Sequence, residues 1–234
     1  MNSYPAWLYD EFRQIGTDYE SDAEVEAYDQ RMHRLRDVQG EAKKILYLLD
    51  LQPEHTLIEI GTGTGDFAMA AARKCSKVIA IDVSESMLKY AERKARAKDI
   101  KNIQFIRAGF LTYQHQSRTV DVVVSQLALH HLPDFWKQIA LLRISEMIKP
   151  GGKLYIKDII YSFDPKKSKS FFERYITDLS TTGKGDPGYF IKHVKDEYST
   201  LTWILDGMIK KASFRIDWTD NQDEFIAAYL CTRI

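Results

Sequence analysis

Five short apolar runs, "TLIEI", "KVIAI", "IQFIR", "VDVVVS" and "KLYIKDII", alternate with helix-like stretches between residues 56 and 160. No other feature restricts the fold so strongly. Runs that are apolar on both faces must be covered on both faces. Strands separated by helices pair in parallel, because each crossover carries the chain back to the same end of the sheet. Helices are expected near residues 66–74, 86–98 and 133–148. The segment "KPGGK" ahead of the fifth run reads as a helix stop and a tight turn.

The flanks differ from this middle. The first fifty residues read as helices. "SDAEVEAYDQRMHRL" opens with Ser21 and Glu24 in capping-box spacing and sets Val25, Tyr28, Met32 and Leu35 on one face. A second helix, "GEAKKILYLLDL", ends before Pro53. After Tyr161 the alternation lapses for about fifty mostly helical, polar residues. Two strands, "SFRIDWT" and "FIAAYLCTR", then close the chain. An insert at this point, residues 161–211, can fold over the carboxyl edge of the sheet as a lid. Its Lys166, Lys167 and Lys169 read as a solvated turn.

The length of 234 residues suits one α/β domain spanning residues 1–234. Lys plus Arg equals Asp plus Glu at 33 each, so nothing pulls the chain toward nucleic acid or an anionic membrane. Cys75 and Cys231 stand far apart, which fits a reducing compartment without disulfides. The opening "MNSYPAWLYDEF" lacks the pattern of a signal peptide, and no apolar run reaches membrane-span length. A cytoplasmic location is expected.

The first run ends in "LIEIGTGTGDF", so Gly61, Gly63 and Gly65 crowd one strand tip. In open parallel sheets ligands bind beyond the carboxyl strand ends, where the strand order reverses. Glycine tolerates positive φ and has no Cβ to block a ligand from the backbone, although any tight turn also favours it. A dinucleotide fingerprint needs glycine where Asp66 stands. The second run ends at Asp82, 21 residues beyond Gly61, where a carboxylate can accept from both hydroxyls of a ribose. The alternative for Asp82, a helix cap, is already offered by Ser84 and Ser86.

On these segments the chain resembles the class I S-adenosylmethionine-dependent methyltransferases. "EIGTGTG" is similar to the family's first motif and "AIDVSESML" to its second. "DVVVSQLALHHLPD" resembles the fourth-strand motif, "IKPGGKLYI" the approach to strand five, and the last two runs the terminal antiparallel hairpin. The resemblance covers about residues 40–160 and 212–234. It implies a three-layer, doubly wound, Rossmann-like sheet of seven strands, mostly parallel with the last antiparallel, and S-adenosylmethionine as cofactor. It further implies that Glu59, Gly61, Thr62 and Gly63 serve the methionine and ribose portions, while Asp82 holds the ribose hydroxyls. Val83 and Met87 would pack on adenine, and Ser125 and Gln126 would lie beneath the methionine moiety. The family often has an acidic residue after a glycine past strand three; here Gly109 is followed by Phe110, leaving a backbone group or ring stacking to recognise adenine. An N-terminal helix lies across the cofactor in many such enzymes. By that resemblance Tyr28 would touch the methionine end and Arg36 would pair its carboxylate, unless Tyr28 is an ordinary core residue.

Methyl transfer from a sulfonium needs an in-line nucleophile in a dry site. A thiolate or tertiary amine needs no further help, whereas a phenol or alcohol benefits from a general base. His131, in "ALHHLPD", is the first such candidate, with His130 beside it; either can instead bond a carbonyl structurally. In the insert, His193 and Glu197 share a helical face, with Tyr198 next and Tyr189 and Trp203 as apolar walls. That pair is either an acceptor-handling pair or a surface ion pair. No Asn-Pro-Pro-aromatic motif of base-amino methyltransferases follows strand four, and no acidic set like that of catechol-type enzymes is evident. Metal-independent transfer to a small molecule is therefore expected, with no nucleic-acid or membrane partner. The rivals are a non-catalytic adenosine-ligand binding protein and a nicotinamide-dependent oxidoreductase.

Overall fold

The computed structural model describes residues 5–13, 21–115, 119–183, 185–222 and 224–234. Two helices come first, α1 Asp22–Leu35 and α2 Val38–Leu49. The Ser21 hydroxyl accepts from the Glu24 amide, which fixes the start of α1 as the capping spacing predicts. Of the apolar face expected on α1, Val25 is buried; the Leu35 side chain lies outside what is described. The alternating middle then runs β1 Thr56–Ile60, α3 Asp66–Ala72, β2 Lys77–Asp82, α4 Glu85–Ala97, β3 Ile103–Arg107, β4 Val120–Gln126, α5 Asp134–Met147 and β5 Ile148–Tyr161.

The order across the sheet is β3-β2-β1-β4-β5, followed by β8 Ile226–Arg233 and β7 Phe214–Gln222. Strands β1 to β5 pair in parallel, while β8 runs antiparallel to both β5 and β7. The strand order thus reverses between β1 and β4. Successive residues of a strand enter opposite cores: Ile58, Ile60, Ile79 and Ile81 pack on one face, Leu57, Val78, Ala80 and Val122 on the other. This doubly wound sheet is the expected fold.

Two features depart from expectation. "KPGG" belongs to β5, where pairing slips between Val120 and Val122. Gly151 has φ +80° at that irregularity, and a Cβ on Gly152 would stand 2.7 Å from the Asp121 carbonyl oxygen. An eighth strand, β6 Thr200–Leu201, lies inside the insert and pairs in parallel with Ile160 and Tyr161 of β5.

The insert otherwise consists of a 3-10 turn and three helices, α6 Ser168–Thr182, α7 Pro187–Asp196 and α8 Thr202–Lys211. Phe163, Phe171 and Phe190 pack with Phe225 of the β7–β8 connection into a separate aromatic core. Lys166, Lys167 and Lys169 are exposed, as a solvated turn requires. Lys184, in the "STTGKGDPG" stretch, lies outside the described residues. No described helix is long and apolar enough to cross a membrane.

Candidate active site

The strand-order reversal opens a cleft of about 920 Å³ at the carboxyl edge, bordered by the tips of β1, β2 and β4. Its floor is backbone. Gly61, Gly63 and Gly65 all have positive φ, at +79°, +51° and +79°. A Cβ on Gly61 would collide with Ala128 at 2.4 Å, and one on Gly65 with Ala91 of α4 at 2.9 Å. At Gly63 nothing lies within 4 Å, so a side chain there would enter the cleft.

Carboxylates hold this loop in shape. Asp82 accepts from the Gly63 amide at 2.7 Å and the Ser84 amide at 2.9 Å. Ser84 itself caps α4 by accepting from the Met87 amide. Each Asp82 oxygen keeps a lone pair beyond its backbone bond. Burial pushes the Asp82 carboxyl up, against the amides that hold it down. Glu59 is 3% exposed and accepts from the Thr62 hydroxyl at 2.7 Å. Burial pushes it up to about 8, with the negative charge of Asp82 adding to the rise.

Val83, Met87, Gly109 and Phe110 border the same cleft. A carboxylate is present at this end after all, supplied by Glu11 some hundred residues away in sequence. Glu11 accepts from the amides of Leu111 and Thr112 and from the Thr112 hydroxyl at 2.6 Å. A Cβ on Gly109 would fall 2.4 Å from its Oε2, so the glycine makes room for this carboxylate. Burial raises the Glu11 carboxyl despite those bonds. Sequence reasoning missed Glu11, because a lone acid in an aperiodic segment gives no sign of what it will cap.

Tyr28 borders both this cleft and a second one toward α2. Arg36 borders only the second and pairs with Glu41, which also takes a bond from Lys157 at 2.8 Å. The guanidinium expected to meet a cofactor carboxylate thus already serves a carboxylate of the chain. Gln126 borders both clefts. Ser125 is 1% exposed, its hydroxyl has no partner, and it borders neither.

Beyond Gln126 the chain turns through Leu127, at φ +52°, into the two histidines. His131 borders the cleft. His130 points away from it, donating to Asp158 at 2.5 Å and to Glu197 at 3.1 Å. Glu197 also accepts from His193 Nδ1, and His193 Nε2 meets the Ser199 hydroxyl at 2.9 Å. Asp158 is fixed in turn by the Leu129 and Ile159 amides. The His193–Glu197 pair is therefore no surface decoration: both side chains are 4% exposed. Burial opposes charge on His130, but Asp158 and Glu197 outweigh it and raise the imidazole to about 9. His131 is lowered to about 4, by burial first and by the neighbouring His130 second. The two imidazoles that hold Glu197 keep its carboxyl well below the usual range, against the burial that would raise it.

Three expected residues sit elsewhere. Tyr189 and Trp203 are 48% and 68% exposed and border neither cleft. Tyr198 is 37% exposed; its amide donates to the His130 carbonyl, its own carbonyl accepts from Lys137, and its ring meets the cleft residue Tyr9 edge-on, with centroids 6.4 Å apart. Helical spacing places side chains on one face but does not say which face the rest of the fold will cover.

A family described as "Methyltransferase domain" matches residues 57–152. An uncharacterized methyltransferase of Geobacillus kaustophilus is 26% identical over 217 residues, 93% of either chain. A demethylmenaquinone methyltransferase of Bacillus mycoides is 27% identical over 115 residues, 48% of either chain. Among solved structures, a SAM-dependent methyltransferase from Aquifex aeolicus superposes with a TM-score of 0.65 at 19% identity, over 92% of this chain and 99% of that one. The matched methyltransferase domain, the similarity over nearly the whole chain to a protein named a methyltransferase, and the sheet order bear out the expected resemblance to the class I S-adenosylmethionine-dependent methyltransferases.

Proposed function

We propose that the enzyme moves the methyl group of S-adenosylmethionine by in-line displacement to a small-molecule acceptor approaching from the His131 end of the cleft. The observation that carries this reading is the cleft itself. It lies where the strand order reverses, and residues of the N-terminal segment, Tyr9, Glu11 and Arg13, line it together with the strand tips. Adenosine would lie between Asp82, Met87 and Phe110, with Glu11 near the adenine edge. Methionine would extend over Gly61 and Gly63 toward Gln126 and Tyr28. The sulfonium methyl would then face His131, Tyr9 and Leu132, all of which border the cleft.

The walls support the chemistry. A methyl cation equivalent is best transferred away from competing water, and closure by α1 and the insert would serve that end. Residues 1–234 would act as one unit, with residues 1–50 covering the donor and 161–211 covering the acceptor. The charge balance and the narrow cleft favour a small molecule over nucleic acid, and two buried free thiols suit a cytoplasmic enzyme.

Calorimetric titration with S-adenosylhomocysteine tests the donor half. Transfer from labelled donor into the dialysable fraction of a cell extract tests the acceptor half, with quinol-type acceptors included because of the menaquinone relatives. Label appearing only in RNA or protein overturns the small-molecule reading. Tight binding with transfer to no fraction favours the non-catalytic alternative.

A further inference from the structure

The geometry points to a divalent transition-metal site formed by His130, His131 and Glu197, on the acceptor side of the cleft. One donor atom from each of the three residues lies within 4.8 Å of the others. An ion about 2.1 Å from each tetrahedral ligand wants separations of about 3.4 Å, so closure asks for side-chain rotation of the order of an ångström. Two imidazoles and a carboxylate, with one position left for a ligand, is the donor set of catalytic zinc and of non-haem iron.

The surroundings are those of a metal site. His130 gives its Nδ1–H to Asp158, which two backbone amides hold still, so Nε2 faces Glu197. A ligating histidine normally has its far nitrogen fixed in this way. Glu197 is oriented by His193, and His193 by Ser199. Asp158 and Glu197 are 2% and 4% exposed, and among the described residues only histidines pair with them. On loading, the ion would replace the Nε2 proton that His130 now shares with Glu197. The other such cluster among the described residues, Asp29, His33 and Asp66, is different: the Lys94 ammonium already bonds both of its carboxylates, at 2.7 and 2.9 Å.

His131 borders the cleft, so the open position of such an ion would face the bound acceptor. Resting on the methyltransferase reading above, this narrows the acceptor to a compound with a metal-binding thiol or hydroxyl. On coordination the S–H or O–H proton leaves to solvent. The freed lone pair attacks the methyl carbon, and the carbon–sulfur bond breaks with its electrons going to the sulfur of S-adenosylhomocysteine. The metal-independent chemistry expected from the sequence would then be replaced.

The test uses the full chain, stripped with chelator and titrated with Co(II), then with Zn(II) in competition. One equivalent of Co(II) with a visible ligand-field band, displaced by Zn(II), is expected. His131→Ala and Glu197→Gln should each weaken binding at least about tenfold, and Asp29→Asn should leave it unchanged. Because Glu197 is buried and its variant can misfold, His131→Ala at the cleft wall, checked by circular dichroism, decides. Absence of stoichiometric binding, parental affinity in folded His131→Ala, or loss of the site in Asp29→Asn each overturns the proposal. Metal content is read without donor or acceptor, so failure of the methyltransferase reading would appear separately, in the S-adenosylhomocysteine titration.

Discussion

The two ends of the cleft are built on different principles. At the donor end the floor is backbone: three glycines at positive φ, with amides pinned by Asp82 only one strand away. At the other end, behind the wall that His131 forms, side chains from β5, from the turn after β4 and from the insert converge on one buried knot, Asp158, His130, Glu197 and His193. A site made of local backbone tolerates wide change in the rest of the chain and serves one constant ligand. A site made of distant side chains can be rebuilt residue by residue, which suits the partner that varies.

The contrast can be broken by substitution. Gly63→Val should cost the most: the β-branched side chain enters the cleft from a left-handed backbone position, and affinity for S-adenosylhomocysteine should fall by roughly 100-fold or more. Retained affinity in a natively folded variant would reduce the glycine to a turn residue.

Glu59 tests the same end through pH. Its folded-state value, about 8, lies above its ordinary value near 4.5. The fold therefore favours the protonated form, and the stability this brings is complete below about pH 4.5 and drains away as pH climbs toward 8. Glu59→Gln should flatten that decline, which linkage bounds at about 4–5 kcal/mol. Urea midpoints of both proteins between pH 5 and 9 measure it, and parallel curves would show that Glu59 is not a buried acid.

Asp82→Ala should weaken S-adenosylhomocysteine binding by about 1–3 kcal/mol, the scale for hydrogen bonds to a charged group. An unchanged dissociation constant by calorimetry would remove Asp82 from the donor site. His193→Ala should show the opposite pattern. It leaves Glu197 short of a partner and should destabilise the fold by about 1–3 kcal/mol, with donor affinity within about a factor of two of parental. Should donor affinity collapse with it, the two ends are one site and the contrast fails. Smallest of all, Tyr198→Phe should change stability by no more than about 0.5 kcal/mol, because it removes one hydroxyl from a half-exposed side chain and keeps the ring against Tyr9.

How legible each end was follows from the same contrast. The strands and the glycine loop are written in short windows whose periods and turn residues act locally, and the helices begin and end within a few residues of expectation. The two closing strands were visible as apolar runs, while their antiparallel pairing was anticipated through family likeness. What failed to show in the sequence is long-range. Glu11 reaches Thr112 across 101 positions, and nothing near either residue announces it. His193 and Glu197 were visible as a spaced pair but not as a buried one, since their cover comes from His130 and β5. Strand β6 is too short to carry a period.

That two-residue strand has a further consequence. By pairing with Ile160 and Tyr161 it returns the chain to the rung it has just left, so residues 162–199 form a closed excursion whose ends are tied together. Lengthening such an excursion costs little, about 0.6 kcal/mol for each doubling of a flexible loop. The sheet on either side does not register the change, because β5 continues to pair with β4 and β8. The insert is in this sense a replaceable cassette. Its anchors, Tyr161 and Thr200, belong to the scaffold, while the exposed faces of α6 and α7 between them can diverge without disturbing the sheet, provided that Phe171, Phe190 and His193 keep their buried places.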